Sequence, residues 1–410
     1  MAAPRTAPVR YGEIRVKKET TAGEAIGTAS TYWAASPQQI KAWDVSLGLK
    51  KVSEDDPSLA LNAYEDRPRI LLGKRGTLGF KSFLSGLAAT EADTVAVTQD
   101  PLGLLLQAAM GGEQLDTTTT VDGTNTGTGT AAAPLKVVSG AGLTIGGAIR
   151  VAGELRRIVN KSGNNLTLDM ALTAAPTSGN VAAAATYFLK EDALVNLSDA
   201  DHITLAALFR GYDAEDQWQL RGGFPAMELG NLGENKTPHC QWTLHSQAWE
   251  LVTGVAAPSA FTEGPNPVQV NAGCYVNTVG TETRNYIHVA GIDIKLGLKV
   301  DELTSPAAEN GVVGHAVFGG RSSVEVEFYY DSEWNVAYEA GTQKYLGYQI
   351  GTAVLISCPA LYLDETPERG GSAAATAKAK FHANNAGAAP SSATELGRSR
   401  ISIHRFPKTA

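Results

Sequence analysis

Alternating apolar and polar positions recur along this chain in two similar series. The segment LGLK occurs at 47–50 and again at 296–299, and each copy ends an alternating segment that contains Ile, Val and Leu. Alternation with period two is typical of strands. A second strand is predicted after each copy, ILLGKRGTLGFKSFL in the first half and AVFGGRSSVEVEFYY in the second. The pattern therefore predicts a long hairpin in each half.

The segments around the two hairpins also correspond. An acidic loop is predicted within each hairpin, over 52–68 and over 301–314, and a short helix after each. Asp100 suits the N-cap of DPLGLLLQAAMGG, and Asp331 or Ser332 that of DSEWNVAYEAG. Later, FPAMELGN corresponds to CPALYLDE, and QWTLHSQ to KAKFHANN. Several features in the same order predict a tandem duplication.

One part of the chain has no counterpart in the other half. It begins with TTTTVDGTNTGTGTAAAP, a low-complexity composition that favours a flexible linker. Short alternating segments separated by turn signals follow, which predict a small β-barrel or sandwich. Residues 117–186 are therefore interpreted as a domain inserted into the first repeat, with its own core. Such an insert is expected on the outside and to be dispensable for assembly.

Composition and charge disfavour several classes of function. The chain has 410 residues, 43% hydrophobic, and a net charge of −8, which argues against a basic nucleic-acid or membrane binder. No apolar stretch predicts a signal peptide or a membrane span. Cys240, Cys274 and Cys358 lack metal-ligand spacing, so reduced, buried thiols are expected.

Enzyme-like motifs are weak in this sequence. In VVSGAGLTIGG, the spacing of Gly140 and Gly142 is similar to that of a dinucleotide-binding turn. Strand-forming residues follow Gly142, and the paired Gly146 and Gly147 disfavour the helix that such a site needs, so a hairpin turn is favoured. His239 and His245 are too far apart on a strand for one metal ion. The Glu325 and Glu327 alternation is typical of a strand with one solvated face. We expect no catalytic residues, no metal ligands and no cofactor.

The tandem hairpins, the helix after each, the PAMEL and PALYL strands and the opening VKKETTAGEAIGTASTYWA together resemble the tail tube proteins of long-tailed bacteriophages. The resemblance implies β-sandwich subunits in rings that stack into a tube for DNA. It also implies tape measure, tail terminator or baseplate proteins as partners, and a place in the virion tail after synthesis in the host cytoplasm.

The predicted fold class is therefore mainly β. It comprises two tandem tail-tube-type β-sandwich domains, each with a short flanking helix and a long hairpin, and one inserted small β domain. The first tube domain takes residues 10–116 with 187–255, and the second takes 256–410. Alternatives are another virion component, such as a baseplate or head-decoration protein, or a carbohydrate-binding or carbohydrate-cleaving β-protein.

Site predictions follow from the polar positions of the hairpins. If the polar faces line the tube lumen, its acidic wall comprises Asp44, Asp293, Glu325 and Glu327. The predicted loops would reach the next ring, and their acidic residues are Glu54, Asp55, Asp56, Asp301 and Glu302. Rings in the family that this chain resembles are generally sixfold. For a chain that holds two units, the resemblance therefore implies trimeric rings with pseudo-sixfold interiors, with hexameric rings as the alternative. DNA would pass without sequence-specific contacts.

Overall fold

The computed structural model describes most of the chain. The described residues are 13–24, 28–34, 39–55, 69–87, 100–110, 113–190, 203–210, 217–232, 237–256, 273–278, 286–287, 289–305, 312–319, 322–329, 343–364, 368–370, 376–384 and 400–407. The fold is mainly β and antiparallel, as predicted.

The elements follow in chain order. The first are β1 (Glu13–Lys18), α1 (Ala29–Ala34), β2 (Gln39–Ile40), β3 (Ala42–Asp55), β4 (Arg69–Phe83), α2 (Pro101–Met110) and β5 (Glu113–Leu115). Next come β6 (Thr119–Thr120), β7 (Leu135–Lys136), β8 (Ala148–Val151), β9 (Glu154–Ser162), β10 (Asn165–Leu168) and β11 (Val181–Ala184). They are followed by β12 (Thr186–Lys190), β13 (Leu205–Arg210), β14 (Gln217–Leu232), β15 (His239–Ser246) and β16 (Ala248–Val252).

The second half continues the same numbering. It contains β17 (Gly273–Thr278), β18 (Tyr286–Ile287), β19 (Val289–Lys295), β20 (Leu298–Thr304), β21 (Val312–Gly319) and β22 (Ser323–Tyr329). It ends with β23 (Lys344–Ile350), β24 (Val354–Leu363), β25 (Glu368–Gly370), β26 (Thr376–Asn384) and β27 (Ile401–Arg405).

Strand pairing repeats between the two halves. In the first, β1 pairs with β2 and β13, β13 with β14, β14 with β15 and β16, and β4 with β3 and β15. In the second, β17 pairs with β18 and β23, β23 with β24, β24 with β26 and β27, and β22 with β19 and β26. We call these strand sets the first and second repeats, since they match strand for strand in chain order.

The two repeats join edge to edge. The C-terminal part of β14 pairs with β15 on one side and with β19 of the second repeat on the other. Strands β3, β4, β15, β14, β19, β22, β26 and β24 therefore form one continuous run of eight antiparallel neighbours. We call this run the joined sheet.

Helix α2 covers the apolar side of the first repeat. Pro101 is its first residue, and the Leu102 amide donates to Asp100 Oδ1 at 3.3 Å, as the predicted N-cap requires. Nearly all of its residues are buried, which fits a helix that is apolar all round. They share one core with buried residues of both repeats, including Ile14, Ile294 and Val324. A single core therefore supports both repeats.

The other predicted helix, over 331–341, lies outside the described residues. Helix α1 was not predicted, because its six residues hold too little periodicity to be recognised. It is held by Trp33, whose buried indole N–H donates to Gln219 Oε1 at 2.8 Å. Tertiary contact therefore secures a segment with a weak local signal.

The inserted part has its own six-stranded sheet, in the order β6–β11–β8–β9–β10–β7, and its own apolar core. The first segment of the insert, for which a flexible linker was predicted, belongs to the fold of the insert. Thr119 and Thr120 form β6, and the Gly129 amide and carbonyl bond the insert's own backbone. The Asn125 Oδ1 accepts hydrogen bonds from the amides of Gly127 and Lys136, at 3.3 and 2.9 Å. These backbone contacts order a segment that composition alone suggested would be mobile.

The insert also docks on the second repeat, a contact that the sequence did not predict. Buried Arg150 donates to the carbonyls of Thr352 and Pro407, each at 2.9 Å. Beside it, the buried Tyr275 hydroxyl donates to Asp169 Oδ2 at 3.3 Å. Apolar residues of both parts, among them Leu155 and Phe406, form a shared cluster. The insert therefore has its own core, but part of its surface is buried against the second repeat.

Candidate functional site

The joined sheet has one buried face and one polar face. Residues such as Phe80, Trp242, Ile294 and Val326 point into the core. Their neighbours along each strand point to the opposite side, because successive residues alternate. We call this opposite side the polar face. Its charged residues include Asp44, Lys50, Arg75, Lys81, Glu228, Asp293, Lys295, Glu325, Glu327, Lys378 and Lys380.

All four predicted lumen residues lie on the polar face, but they are interleaved with lysines. In the second repeat, Asp293 is opposite Glu325, Glu325 is opposite Lys380, and Glu327 is opposite Lys378. The Lys378 Nζ lies 2.9 Å from Glu325 Oε2. This hydrogen bond lowers the pKa of Glu325 and raises that of Lys378. The described face therefore carries mixed charge rather than an acidic row.

In the first repeat, the polar face also carries an ion pair between an acidic and a basic side chain. Asp44 adopts a left-handed backbone with φ of 52° at a bulge where the pairing of β3 and β4 shifts. Aspartate tolerates this conformation better than most residues. Its Oδ2 lies 2.8 Å from Lys81 Nζ. The bulge thus aims the Asp44 carboxylate at the neighbouring strand.

Four of the five predicted inter-ring residues lie on strands and not in long loops. Glu54 and Asp55 are in β3, paired with Ile70 and Arg69. Asp56 lies outside the described residues. Asp301 and Glu302 are in β20, paired with β21. The loop boundaries were therefore wrong, because ladder pairing continues past the apolar segments into polar ones.

Glu302 takes part in a contact within the chain. It forms an ion pair with Arg75 of β4, and His315 of β21 faces His245 of β15 with ring centroids 6.4 Å apart. Burial lowers the pKa of both histidines, and for His315 the neighbouring His245 adds to the effect. The hairpin of β20 and β21, which we call the arm, therefore lies against the first repeat. Spacing could not have predicted this contact, since it joins residues far apart in the chain.

The residues weighed as metal or redox candidates have ordinary surroundings. His239 points away from the core and Cys240 into it, as the strand pattern predicts. Cys240, Cys274 and Cys358 are free and buried, and burial raises the pKa of each thiol. Within the described ranges, no group of three or more His, Cys, Asp or Glu is placed to hold a metal ion. In the same ranges, no helix is long and apolar enough to cross a membrane.

The sequence matches no protein-family profile and no curated protein.

Proposed function

We propose that this chain is the tail tube protein of a long-tailed bacteriophage. It would be a structural virion component and not an enzyme, made in the host cytoplasm and assembled into the tail. Its copies would form rings, and the stacked rings would conduct DNA during ejection. The tape measure protein and the tail terminator or baseplate proteins would be its partners, as the sequence resemblance implies.

One observation carries this proposal: the two repeats are joined edge to edge by β14 and β19. At the junction, an edge of the first repeat pairs with an edge of the second. Because the repeats are alike, the two ends of the joined sheet present an edge of each of the same two kinds. Exposed edges favour association with further strands unless they are paired or covered. Closure of several chains into a barrel would pair every edge.

The proposed ring size rests on the sixfold rings that the sequence resemblance implies, because chains with two units each would need only three copies. Three chains with eight strands each would form a barrel of about 24 strands. Barrels of that size exceed the 16–18 strands at which an aqueous channel already remains open. The interior would show approximate sixfold symmetry, because each chain supplies two similar units. A hexameric ring would instead require twice as many strands around one lumen.

The polar face suits the lining of such a channel. In the second repeat, three carboxylates stand beside three lysines, Lys295, Lys378 and Lys380. A surface that neutralises several phosphates binds DNA with strong, salt-dependent affinity. Carboxylates adjacent to the lysines would offset that attraction. Balanced charge therefore supports passage of DNA without retention.

Electron microscopy of the purified full-length protein tests the proposal. We expect rings or tubes with an open lumen, and symmetry analysis or native mass spectrometry should give three chains per ring. Six chains per ring would support the tube but reject the pseudo-sixfold arrangement. Monomers at all concentrations, or spherical shells, would reject the tube itself and favour another virion component or a carbohydrate-binding protein.

A further inference from the structure

The internal junction between the repeats offers a template for contact between copies of this chain. In that junction Glu228 of β14 is opposite Lys295 of β19, and Leu229 is opposite Ile294. The two charged residues lie on the polar face, and the two apolar residues point into the core. Leu229 is 2% exposed and Ile294 is 0% exposed. The junction therefore has one polar pair and one buried pair side by side.

The two ends of the joined sheet are the counterparts of that junction. Strand β24 holds the position of β14 in the second repeat, and β3 holds the position of β19 in the first. Among the described residues, β3 pairs with β4 alone. Tyr362 and Leu363 of β24 likewise pair with β26 alone. Each end thus presents one strand edge.

Sequence alignment within the repeats fixes the residue correspondence. FPAMELGN and CPALYLDE place Glu228 with Tyr362 and Leu229 with Leu363. The two LGLK segments place Lys295 with Ser46 and Ile294 with Val45. Orientation agrees, since Val45 and Leu363 both pack against the core. Ser46 and Glu228, by contrast, are exposed.

Apolar side chains at the two ends of the joined sheet are less buried than their counterparts at the junction. This difference is expected if each end lacks a neighbouring strand. Val45 and Leu363 are only partly buried, whereas their counterparts Ile294 and Leu229 are almost fully buried. Leu47 is partly buried as well, and its counterpart Leu296 is 1% exposed. Covering these side chains would remove apolar surface from water, which favours association.

We infer that β24 of one copy pairs antiparallel with β3 of the next copy, in the register of the internal junction. Tyr362 would lie opposite Ser46 of the second copy, and Leu363 opposite Val45. This inference rests on the proposed ring assembly and specifies its contact between chains. The ring would then alternate a covalently continuous β14–β19 junction with a non-covalent β24–β3 junction of the same form.

Cysteine cross-linking tests the register. Directly opposite residues on antiparallel strands have Cα atoms about 4.5–5.5 Å apart, within the range of about 4.4–6.8 Å that a disulfide spans. The variant Ser46→Cys/Tyr362→Cys should therefore give covalent oligomers up to a closed species under mild oxidation. The native cysteines are buried in the described fold, so the unvaried chain should stay monomeric on denaturing gels.

Two control variants make the result specific. Glu228→Cys/Lys295→Cys should form a disulfide within one chain at any concentration, since these residues face each other in the structure. Lys50→Cys/Tyr362→Cys displaces the first cysteine by four residues, roughly 13 Å along the strand. It should give few covalent oligomers. Equal cross-linking of the 46/362 and 50/362 pairs would overturn the proposed register.

The inference and the proposed function fail differently. If rings are visible and the internal control closes, but the 46/362 pair does not cross-link, the strand pairing is wrong and the ring proposal stands. If the 46/362 pair cross-links into open chains and no rings are visible, the pairing stands and the ring proposal fails. Absence of both rings and cross-links rejects both.

Discussion

The two hairpins that contain LGLK differ in the path of the chain. In the first repeat LGLK lies inside β3, and pairing with β4 runs from Ala42 to Asp55 with two register shifts. In the second, the ladder between β19 and β22 stops at Lys295, and pairing resumes between β20 and β21 in a separate sheet. Gly297 has a φ of 68° at this break. One sequence motif thus continues a strand in one repeat and redirects it in the other.

Tertiary contacts explain the difference between the hairpins. Beyond Gly297 the arm lies against the first repeat, through Arg75 with Glu302 and His245 with His315. At the bend, the Ser322 hydroxyl donates to the Leu296 carbonyl at 2.8 Å and replaces a ladder bond. The duplicated strands therefore keep their pairing order, while their outer ends adapt to the surface available.

The largest loss of stability is expected from breaking a side-chain contact between the two repeats. Buried Arg405 of the second repeat forms an ion pair with Asp100 of the first and donates to the carbonyls of Ser85 and Gly86 at 2.8 and 2.9 Å. Asp100→Ala leaves this arginine without its carboxylate and removes the N-cap of α2. We expect a loss of about 3–5 kcal/mol in the free energy of unfolding, measured by urea denaturation.

Asp100→Asn distinguishes the two contributions. The amide oxygen can still cap the helix, but the charge is lost, so most of the destabilisation should remain. A loss below about 1 kcal/mol for both variants would show that Arg405 is satisfied by its carbonyl partners alone.

The next largest loss of stability is expected at one of the two LGLK glycines, Gly297, in comparison with Gly48. Gly297→Ala forces a side chain into left-handed backbone, which costs about 1–2 kcal/mol. Gly48→Ala meets only the Thr77 hydroxyl, at 2.6 Å, and Thr77 is exposed and free to change rotamer. Gly297→Ala should therefore lower the urea midpoint more than Gly48→Ala. The reverse order would mean that the bend is not held by Gly297.

A smaller, pH-dependent effect is expected beside the Asp100–Arg405 pair. Burial raises the pKa of Glu113 from 4.5 to about 7, and its Oε1 has no hydrogen-bond partner in the described part of the chain. The folded state binds this proton more tightly than the unfolded chain, so its contribution to stability falls as the pH rises from 4.5 to 7.

Glu113→Gln removes that loss. Because the carboxyl is only half-buried, we expect a gain of about 1 kcal/mol at pH 8 and little gain at pH 4, measured by thermal unfolding at both values. Asp122→Asn provides a control of opposite sign, since hydrogen bonds from Thr124 lower the pKa of Asp122. Equal shifts at both pH values would show that Glu113 acts through packing and not through its charge.

The smallest effect concerns the polar face. Its ion pairs are Lys378 with Glu325 and Lys81 with Asp44, and each joins one exposed side chain to one partly buried side chain. Glu325→Gln and Asp44→Asn should each change stability by at most about 1 kcal/mol, and less in 1 M salt. For Glu325, whose pKa is lowered, the contribution is present at neutral pH and lost as the pH falls through its folded pKa. A cost above that range would indicate that the pair has a structural role.

Several features were predictable from particular residues. Period-two alternation placed the strands of both repeats, and Asp100 with Pro101 placed the start of α2, because these signals are local. The ordered self-similarity of PAMEL and PALYL matched β14 and β24. Strand ends were less predictable, since hydrogen bonding carried β3 and β20 through polar residues.

The amino-acid sequence by itself determined the β class, the repeated order of strands and which residues of each strand face the core, because periodicity and turn chemistry are local. Only the tertiary structure decided which strands meet. The β14–β19 junction, the docking of Arg150, and the placing of Lys378 beside Glu325 join residues distant in sequence. Such contacts depend on how complete surfaces fit together, and no local pattern encodes that fit.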